Sequence, residues 1–274
     1  QTQTLRKKKY YIEDCISFFN ANRQGRLTRE NIEKNIHKLK KMAVHLNFSD
    51  ERELFYQVHK GNMKSIAAME SLLLRPQPGF FEGAGMYKAF EENILPLIIN
   101  QKSSSKKISI WVPGCTEGRE AYSIALLLHA HLRVLEGWDI SIHATDTDSH
   151  ALKKAEKATV DIDDIDKVIL DFYGQGLKKN GYDYIIKSSV REMITFQQAS
   201  FYDFQSREEA YDLVLFRNHL EYWQPELQEK IIENMRNALH PHGYLILSYG
   251  ESLLSLSADF TPITSTQGFY QKNA

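Results

Sequence analysis

Gly114 and Gly118, with Glu120, Asp146 and Arg217 further along the chain, are the residues best spaced for chemistry. A short apolar run, Ile108–Val112, ends just before the two glycines. An apolar-rich segment with helical spacing begins near Glu120. Strand, glycine turn, helix is the grammar of a nucleotide-type site in a doubly wound sheet. Glycine suits the turn because no Cβ keeps the backbone from a ligand.

Asp146 follows a second apolar run, in His143-Ala-Thr-Asp-Thr-Asp. A carboxylate at that strand end is placed to accept hydrogen bonds from both hydroxyls of a ribose. The bland alternative is an N-cap for the next helix. Its distance from Gly118 exceeds that of the dinucleotide fingerprint, and the glycines do not spell G-x-G-x-x-G. A nicotinamide dinucleotide is therefore disfavoured, and another nucleoside cofactor is expected. Glu120 falls in the first turn of the helix after the glycine loop. There a carboxylate either complements the helix N-terminus or meets a cationic group such as an α-amino group. Arg217, Asn218 and Tyr222 follow a fourth apolar run, in the region beyond strand ends where open α/β sheets bind ligands.

Alternating strands and helices must position these residues. Strands are expected at Ile108–Val112, Ile140–Ala144, Ile194–Gln198, Leu213–Phe216 and Tyr244–Ser248. Helices are expected at Glu120–Leu135, Ser149–Lys157 and Pro225–Leu239. The alternation argues for a parallel sheet covered on both faces. Tyr182–Lys187 and Val190–Ile194, joined by Ser188-Ser189, read as an inserted hairpin. Tyr244–Ser248 and the tail Phe269-Tyr-Gln-Lys read as a closing antiparallel pair.

The first 75 positions read as all helix. Tyr11, Ile12, Cys15, Ile16 and Phe19 share one helical face. Thr28 is the expected N-cap of a second helix with the stripe Ile32, Ile36, Leu39, Ala43. Further helices are expected from Ser49 and from Asn62. Arg75-Pro-Gln-Pro-Gly ends this bundle, because proline cannot continue a helix. The expected organisation is therefore a helical domain over 1–75, a linker loop and helix over 76–107, and an α/β domain over 108–274. The hairpin insertion is placed at about 180–194.

Composition narrows the function classes. Charged residues make up 25% of the 274 positions and the formal net charge is -1, so neither nucleic acid nor an anionic membrane is favoured as partner. No apolar run approaches the roughly 20 residues of a membrane span. Gln1-Thr-Gln-Thr-Leu-Arg-Lys-Lys-Lys has no apolar core and does not read as a signal peptide. Cys15 and Cys115 read as reduced thiols, and the expected location is the cytoplasm. The ten histidines are scattered and no Cys/His spacing suits zinc, so no metal site is expected.

Four ordered motifs carry a family resemblance. Gly114-Cys-Thr-Glu-Gly-Arg-Glu-Ala-Tyr-Ser123 resembles the glycine motif of the CheR-type, S-adenosylmethionine-dependent methyltransferases, which methylate glutamates of bacterial chemoreceptors. Ala144-Thr-Asp-Thr-Asp148, Leu215-Phe-Arg-Asn-His-Leu-Glu-Tyr-Trp223 and Leu239-His-Pro-His-Gly-Tyr-Leu-Ile-Leu-Ser-Tyr-Gly-Glu-Ser-Leu253 match that family's later motifs in order. The resemblance implies a Rossmann-like methyltransferase domain with a small β insertion, preceded by an all-α domain. It also implies S-adenosylmethionine as cofactor and S-adenosylhomocysteine as product.

Carried over residue by residue, Gly114 and Gly118 form the cofactor turn and Glu120 holds the methionine amino group. Asp146 binds the ribose, and Arg217 and Asn218 line the pocket. Ser200-Phe201 stands where the family has N-L. Tyr222 would sit beside the transferred methyl and, with Arg217, make up the expected catalytic pair. The implied activity is protein-glutamate O-methylation on chemoreceptor cytoplasmic helices or another acidic protein, by a monomer.

The catalytic half of the signature departs from the pattern. The family's N-x-T-x-F-F-R reads Pro76-Gln-Pro-Gly-Phe-Phe-Glu82 here, so the expected arginine is Glu82. An arginine can hold a carboxylate bidentately, whereas a glutamate repels it. Arg119 and Arg75 are the nearby cations that could substitute. The alternative is a non-catalytic relative that binds the cofactor and a protein partner. Arg6-Lys-Lys-Lys9, Arg26, Arg29, Lys34, Lys38, Lys40 and Lys41 could face an acidic partner or form a solvated helix surface. The hairpin could accept an extended peptide by strand addition.

Overall fold

A computed structural model describes residues 12–21, 27–73, 79–131, 133–200, 210–220, 223, 225–248, 250–253, 258–263 and 267–274. They divide into two compact units, Gln1–Pro76 with Asn218–Gln228, and Gln77–Arg217 with Glu229–Ala274. The first 75 positions thus fall in one unit, and the linker loop and helix from Gln77 onward in the other.

The first unit holds helix α1 (residues 12–21), α2 (Arg29–Lys34), α3 (Ile36–His45), α4 (Glu51–His59) and α5 (Met63–Leu73). Helices α2, α4 and α5 begin where a side chain takes an orphan amide, whereas α3 has no side-chain cap. Thr28 closes a reciprocal capping box with Asn31, and the Asp50 carboxylate accepts from the Arg52 and Glu53 amides. The expected second helix is broken at Asn35, which ends α2 and opens α3. The stripes close over one core of Cys15, Phe19, Ile32, Leu39, Ala43, Leu54, Phe55 and Met69 among others. Arg29 pairs with Glu13 and Glu33, whereas Lys38, Lys40 and Lys41 stand exposed. Arg6 to Lys9 and Arg26 lie outside the described residues.

The second unit opens with α6 (Ala84–Ala89), a π-helical turn (Phe90–Ile94) and α7 (Leu95–Gln101). There follow β1 (Lys107–Pro113), α8 (Arg119–Ala130), β2 (Asp139–Asp146) and α9 (Ser149–Ala155). After the insertion come β6 (Ile194–Gln198), β7 (Tyr211–Leu215), α12 (Pro225–Ala238), β8 (Leu239–Ile246), β9 (Phe260–Pro262) and β10 (Phe269–Lys272). The main sheet runs β6-β2-β1-β7-β8-β10-β9. Its first five strands are parallel neighbours, and β10 is antiparallel to both β8 and β9. This is the Rossmann-like α/β sheet expected, with the closing pair where the tail was expected to return. Strand order reverses beside β1, so the switch point falls between β1 and β7. Buried Ile108, Ile110 and Val112 of β1 pack with Ile124, Ala125 and Leu128 of α8 in one core.

The insertion differs from the expectation. It is a three-stranded antiparallel sheet, β3 (Thr159–Val160), β4 (Leu177–Asn180) and β5 (Asp183–Ile186), in the order β3-β5-β4. Helix α10 (Lys167–Tyr173) lies between β3 and β4. The hairpin turns at Gly181-Tyr182, where Gly181 has φ 64, rather than at Ser188-Ser189. Glycine reaches that left-handed conformation without strain, which is what a two-residue hairpin demands. Ser188–Arg191 is instead a helical turn, α11, and Ile194 begins the main-sheet strand β6. Among the described residues no helix is long and apolar enough to cross a membrane.

Candidate functional site

The glycine loop between β1 and α8 is held at both ends. Gly114 and Gly118 adopt φ 70 and 79, and Thr116 between them adopts φ 47. Cys115 N–H donates to Thr145 O (2.9 Å) and Gly118 N–H to Cys115 O (2.8 Å). A Cβ built on Gly118 would stand 2.9 Å from Phe196 Cζ and 3.0 Å from Ala155 Cβ. Glycine is therefore required twice there, by backbone conformation and by the side chains packed under the turn.

Asp146 is the last residue of β2, and its carboxylate organises the loops around it. Oδ2 accepts from Thr116 N–H (2.9 Å) and Oδ1 from Asp148 N–H (2.8 Å). The helix N-cap is Asp148, whose side chain accepts from His150 and Ala151. The capping alternative for Asp146 is thus replaced by a tie between two strand ends. Ser200 lies close by in the chain path, because Ala199 N–H donates to Asp146 O (3.0 Å).

Glu120 and Arg217 form the centre of the arrangement. Arg217 Nη1 donates to Glu120 Oε1 at 2.8 Å, with side-chain exposures of 7% and 3%. Burial pushes the Glu120 carboxyl up to about 7, against the downward pull of Arg217. The guanidinium also lies over the Tyr87 ring, 5.7 Å from its centroid. Helix-terminus electrostatics would need no such burial or partner, so Glu120 is more than a first-turn acid.

Three buried polar atoms in this region have no hydrogen-bond partner among the described residues, Arg217 Nε, the Tyr87 hydroxyl and Ser200 Oγ. Unsatisfied buried donors are costly and rare, and a bound ligand is one remedy. An adjacent carboxylate and guanidinium suit the ammonium and carboxylate of an α-amino acid head. Asp146, one strand over, suits a ribose. The residues present therefore fit a nucleoside that carries an amino acid.

The turn Gly79–Gly83 flanks Arg217. Gly83 has φ 72, and a Cβ there would stand 2.8 Å from Arg217 Nη2. Phe81, with φ 51, donates its N–H to Ser123 Oγ (2.9 Å), and Ser123 Oγ donates to Arg119 O (2.8 Å). Glu82 is exposed, and its Oε2 accepts from Gly79 N–H (2.6 Å). Arg119, the cation expected as a possible substitute, pairs with Asp164 (2.8 Å).

Gly114, Gly118, Glu120, Asp146, Ser200 and Arg217 thus lie together in the second unit, at the carboxyl ends of its parallel strands. Asn218 follows Arg217 with φ 58 but belongs to the first unit. Tyr222, Phe201, Arg75, Pro76 and Pro78 lie outside the described residues. Sequence reasoning missed Gly83, Ser123 and Phe196. Gly83-Ala-Gly before a helix was the one available signal, whereas Ser123 and Phe196 act only through contacts distant in sequence.

The family model for the CheR methyltransferase, SAM binding domain, matches residues 77–269. The chain is 25% identical over 210 residues to an uncharacterized 104.1 kDa protein of Rhodobacter capsulatus, covering 75% of this chain but 22% of that protein's length. It is 25% identical over 265 residues to chemotaxis protein methyltransferase 2 of Vibrio cholerae, covering 94% of this chain and 88% of that protein. It is 24% identical over 217 residues to the chemotaxis protein methyltransferase of Vibrio parahaemolyticus, covering 76% and 75%. Among solved structures, a SAM-dependent methyltransferase from Methanosarcina mazei aligns at 17% identity and TM-score 0.33, over 56% of this chain and 57% of that one. With the family model matching well over half of its length, the chain belongs to the CheR methyltransferase family, and its second unit carries that family's S-adenosylmethionine-binding domain.

Proposed function

We propose that this chain is a protein carboxyl methyltransferase, one that esterifies glutamate side chains on chemoreceptor cytoplasmic helices or a similar acidic protein. The observation that carries the reading is the buried Glu120–Arg217 pair beside Asp146 at the sheet's switch point. Glu120 would take the cofactor's ammonium and Arg217 its carboxylate, while Asp146 takes the ribose hydroxyls. Ser200, Phe201 and Asn218 are the further residues proposed to contact the cofactor. Two relatives bear the name chemotaxis protein methyltransferase, which supports the acceptor class.

The bound cofactor supplies a methyl group made electrophilic by its sulfonium. An acceptor glutamate is already ionised at neutral pH, so no strong base is required of the protein. With the cofactor bound, an acceptor carboxylate oxygen would gain the O–C bond as the C–S bond breaks, with no proton to move. What remains for the chain is alignment and charge control. Tyr222 and Arg217 are the residues proposed to act beside the transferred methyl. Incubation with labelled cofactor and receptor helices should give an alkali-labile protein methyl ester. No ester on any acidic helix tested would overturn this reading.

A second reading is favoured by one observation. Glu82, exposed beside Arg217, is an anion where a carboxylate acceptor would gain from a cation. On that reading the chain binds cofactor and a protein partner without turnover. Wild-type activity would exclude it, and activity appearing only in Glu82→Arg would support it.

A further inference from the structure

We infer that Glu82 selects acceptor segments in which the methylated glutamate is flanked by lysine or arginine. The inference rests on the carboxyl-transfer reading above and specifies its substrate class.

Its ground is the geometry of the turn that carries Glu82. Gly83 lets the backbone press on the Arg217 guanidinium, since even a Cβ there would come within 2.8 Å of Nη2. The next residue back is therefore fixed at the edge of the buried pair. Phe81 is pinned by Ser123, and the Glu82 carboxylate is held by the Gly79 amide. An exposed anion is thus set on a short, doubly anchored turn instead of a mobile side chain on a loop.

The charge around it has a definite sign. Glu82 adds a Coulombic push to the Glu120 carboxyl, as does Glu251, and it adds to the hold on the Arg217 proton. The single charge of Arg217 is shared with Glu120, so one guanidinium faces two carboxylates and the turn keeps a net negative charge. An acceptor carboxylate arriving alone meets repulsion. One that arrives beside an ammonium or guanidinium brings a partner for Glu82, and the pair then enters with little net charge. The same anion repels segments whose flanks are acidic, which makes it a device against wrong acceptors as well as for right ones.

The test uses the full chain saturated with S-adenosylhomocysteine and helical peptides with one central glutamate. Flanks are lysine, alanine or glutamate at the two neighbouring exposed positions. Fluorescence anisotropy should order affinity as lysine, alanine, glutamate, with steps of about threefold, the scale of an exposed ion pair. Glu82→Gln should bring the three within about twofold, Glu82→Arg should reverse the order, and added salt should compress it. An order unchanged in both variants, or no order in the wild type, overturns the inference. Methylation of the same peptides is scored separately. Absence of ester on all of them sinks the transfer reading, while the binding order still decides the role of Glu82.

Discussion

Glu120 and Arg217, 97 positions apart in sequence, meet at 2.8 Å with both side chains almost wholly buried. The pair joins the first turn of α8 to the residue just past Phe216, beyond the carboxyl end of β7. Removing either partner would strand a buried charge, at a cost of about 3–5 kcal/mol. That makes the pair structurally expensive to break and well placed to respond to a ligand.

The first prediction concerns pH. Burial raises the Glu120 carboxyl from 4.5 to about 7. Between those values the folded protein keeps a proton that the unfolded chain gives up, so this group's contribution to stability falls as pH rises. A ligand ammonium on Glu120 favours the ionised form. Cofactor affinity should therefore climb between about pH 5.5 and 7.5 and then level, with proton release on binding below pH 7. Calorimetry in two buffers of different ionisation enthalpy measures both. Glu120→Gln should flatten the profile and weaken binding by roughly tenfold or more. A flat wild-type profile would show that Glu120 does not meet a cation.

The second prediction separates conformation from crowding at the glycine turn. Gly118 and Gly137 share nearly the same positive φ, 79 and 74. Only Gly118 has neighbours close enough to collide with a Cβ, Phe196 and Ala155, whereas Gly137 has none within 4 Å. Gly137→Ala should cost about 1–2 kcal/mol through backbone strain alone. Gly118→Ala should cost visibly more in thermal unfolding and should also lose cofactor affinity. Equal losses, with binding intact, would show that the turn absorbs the Cβ.

How far the sequence reached depends on what each feature needs. Gly114, Gly118 and Asp146 were legible because a turn and a strand end announce themselves locally. The parallel sheet followed from alternating apolar runs. The hairpin was misplaced because Ser188-Ser189 reads as a turn while Gly181 sits in a lysine-rich stretch with little apolar patterning. β9 was missed because it is three residues long and ends in proline, a residue tolerated on the sheet edge it occupies. The Glu120–Arg217 pair could be suspected from its two motifs. Its burial, and the approach of Gly83 to Arg217, exist only after folding.

The third prediction distinguishes two aspartates two residues apart. Asp146 accepts one backbone amide on each oxygen, from Thr116 and Asp148. Asp146→Asn turns one acceptor into a donor facing an amide, at a cost of about 1–3 kcal/mol, and should weaken cofactor binding with it. Asp148 is an N-cap, a role asparagine fills equally well, so Asp148→Asn should leave stability within about 0.5 kcal/mol. Denaturant unfolding and cofactor titration of the two variants decide the matter. Similar behaviour of both would reduce Asp146 to a second cap.

The fourth prediction follows the support of the Glu82 turn into the insertion. The Tyr173 ring, at the end of α10, stacks on Phe81 with centroids 4.5 Å apart and planes 8° from parallel. Its hydroxyl donates to Glu91 Oε2 (3.0 Å), and Glu91 Oε1 lies 2.6 Å from His131 Nε2. Glu91 belongs to the π-helical turn, a distortion that is common at functional sites. Burial and Glu91 push the Tyr173 phenol up to about 12, so the donated bond persists through neutral pH. Phe81 holds a left-handed φ that non-glycine residues keep only when their surroundings impose it. Tyr173→Phe keeps the stacked ring and should cost about 1 kcal/mol with peptide selectivity intact. Tyr173→Ala removes the ring, frees Phe81, and should erase the lysine-over-glutamate preference while cofactor affinity, which we propose rests on Glu120 and Asp146, changes little. Retention of the full preference in Tyr173→Ala would mean that Ser123 and Gly79 hold the turn without help from the insertion.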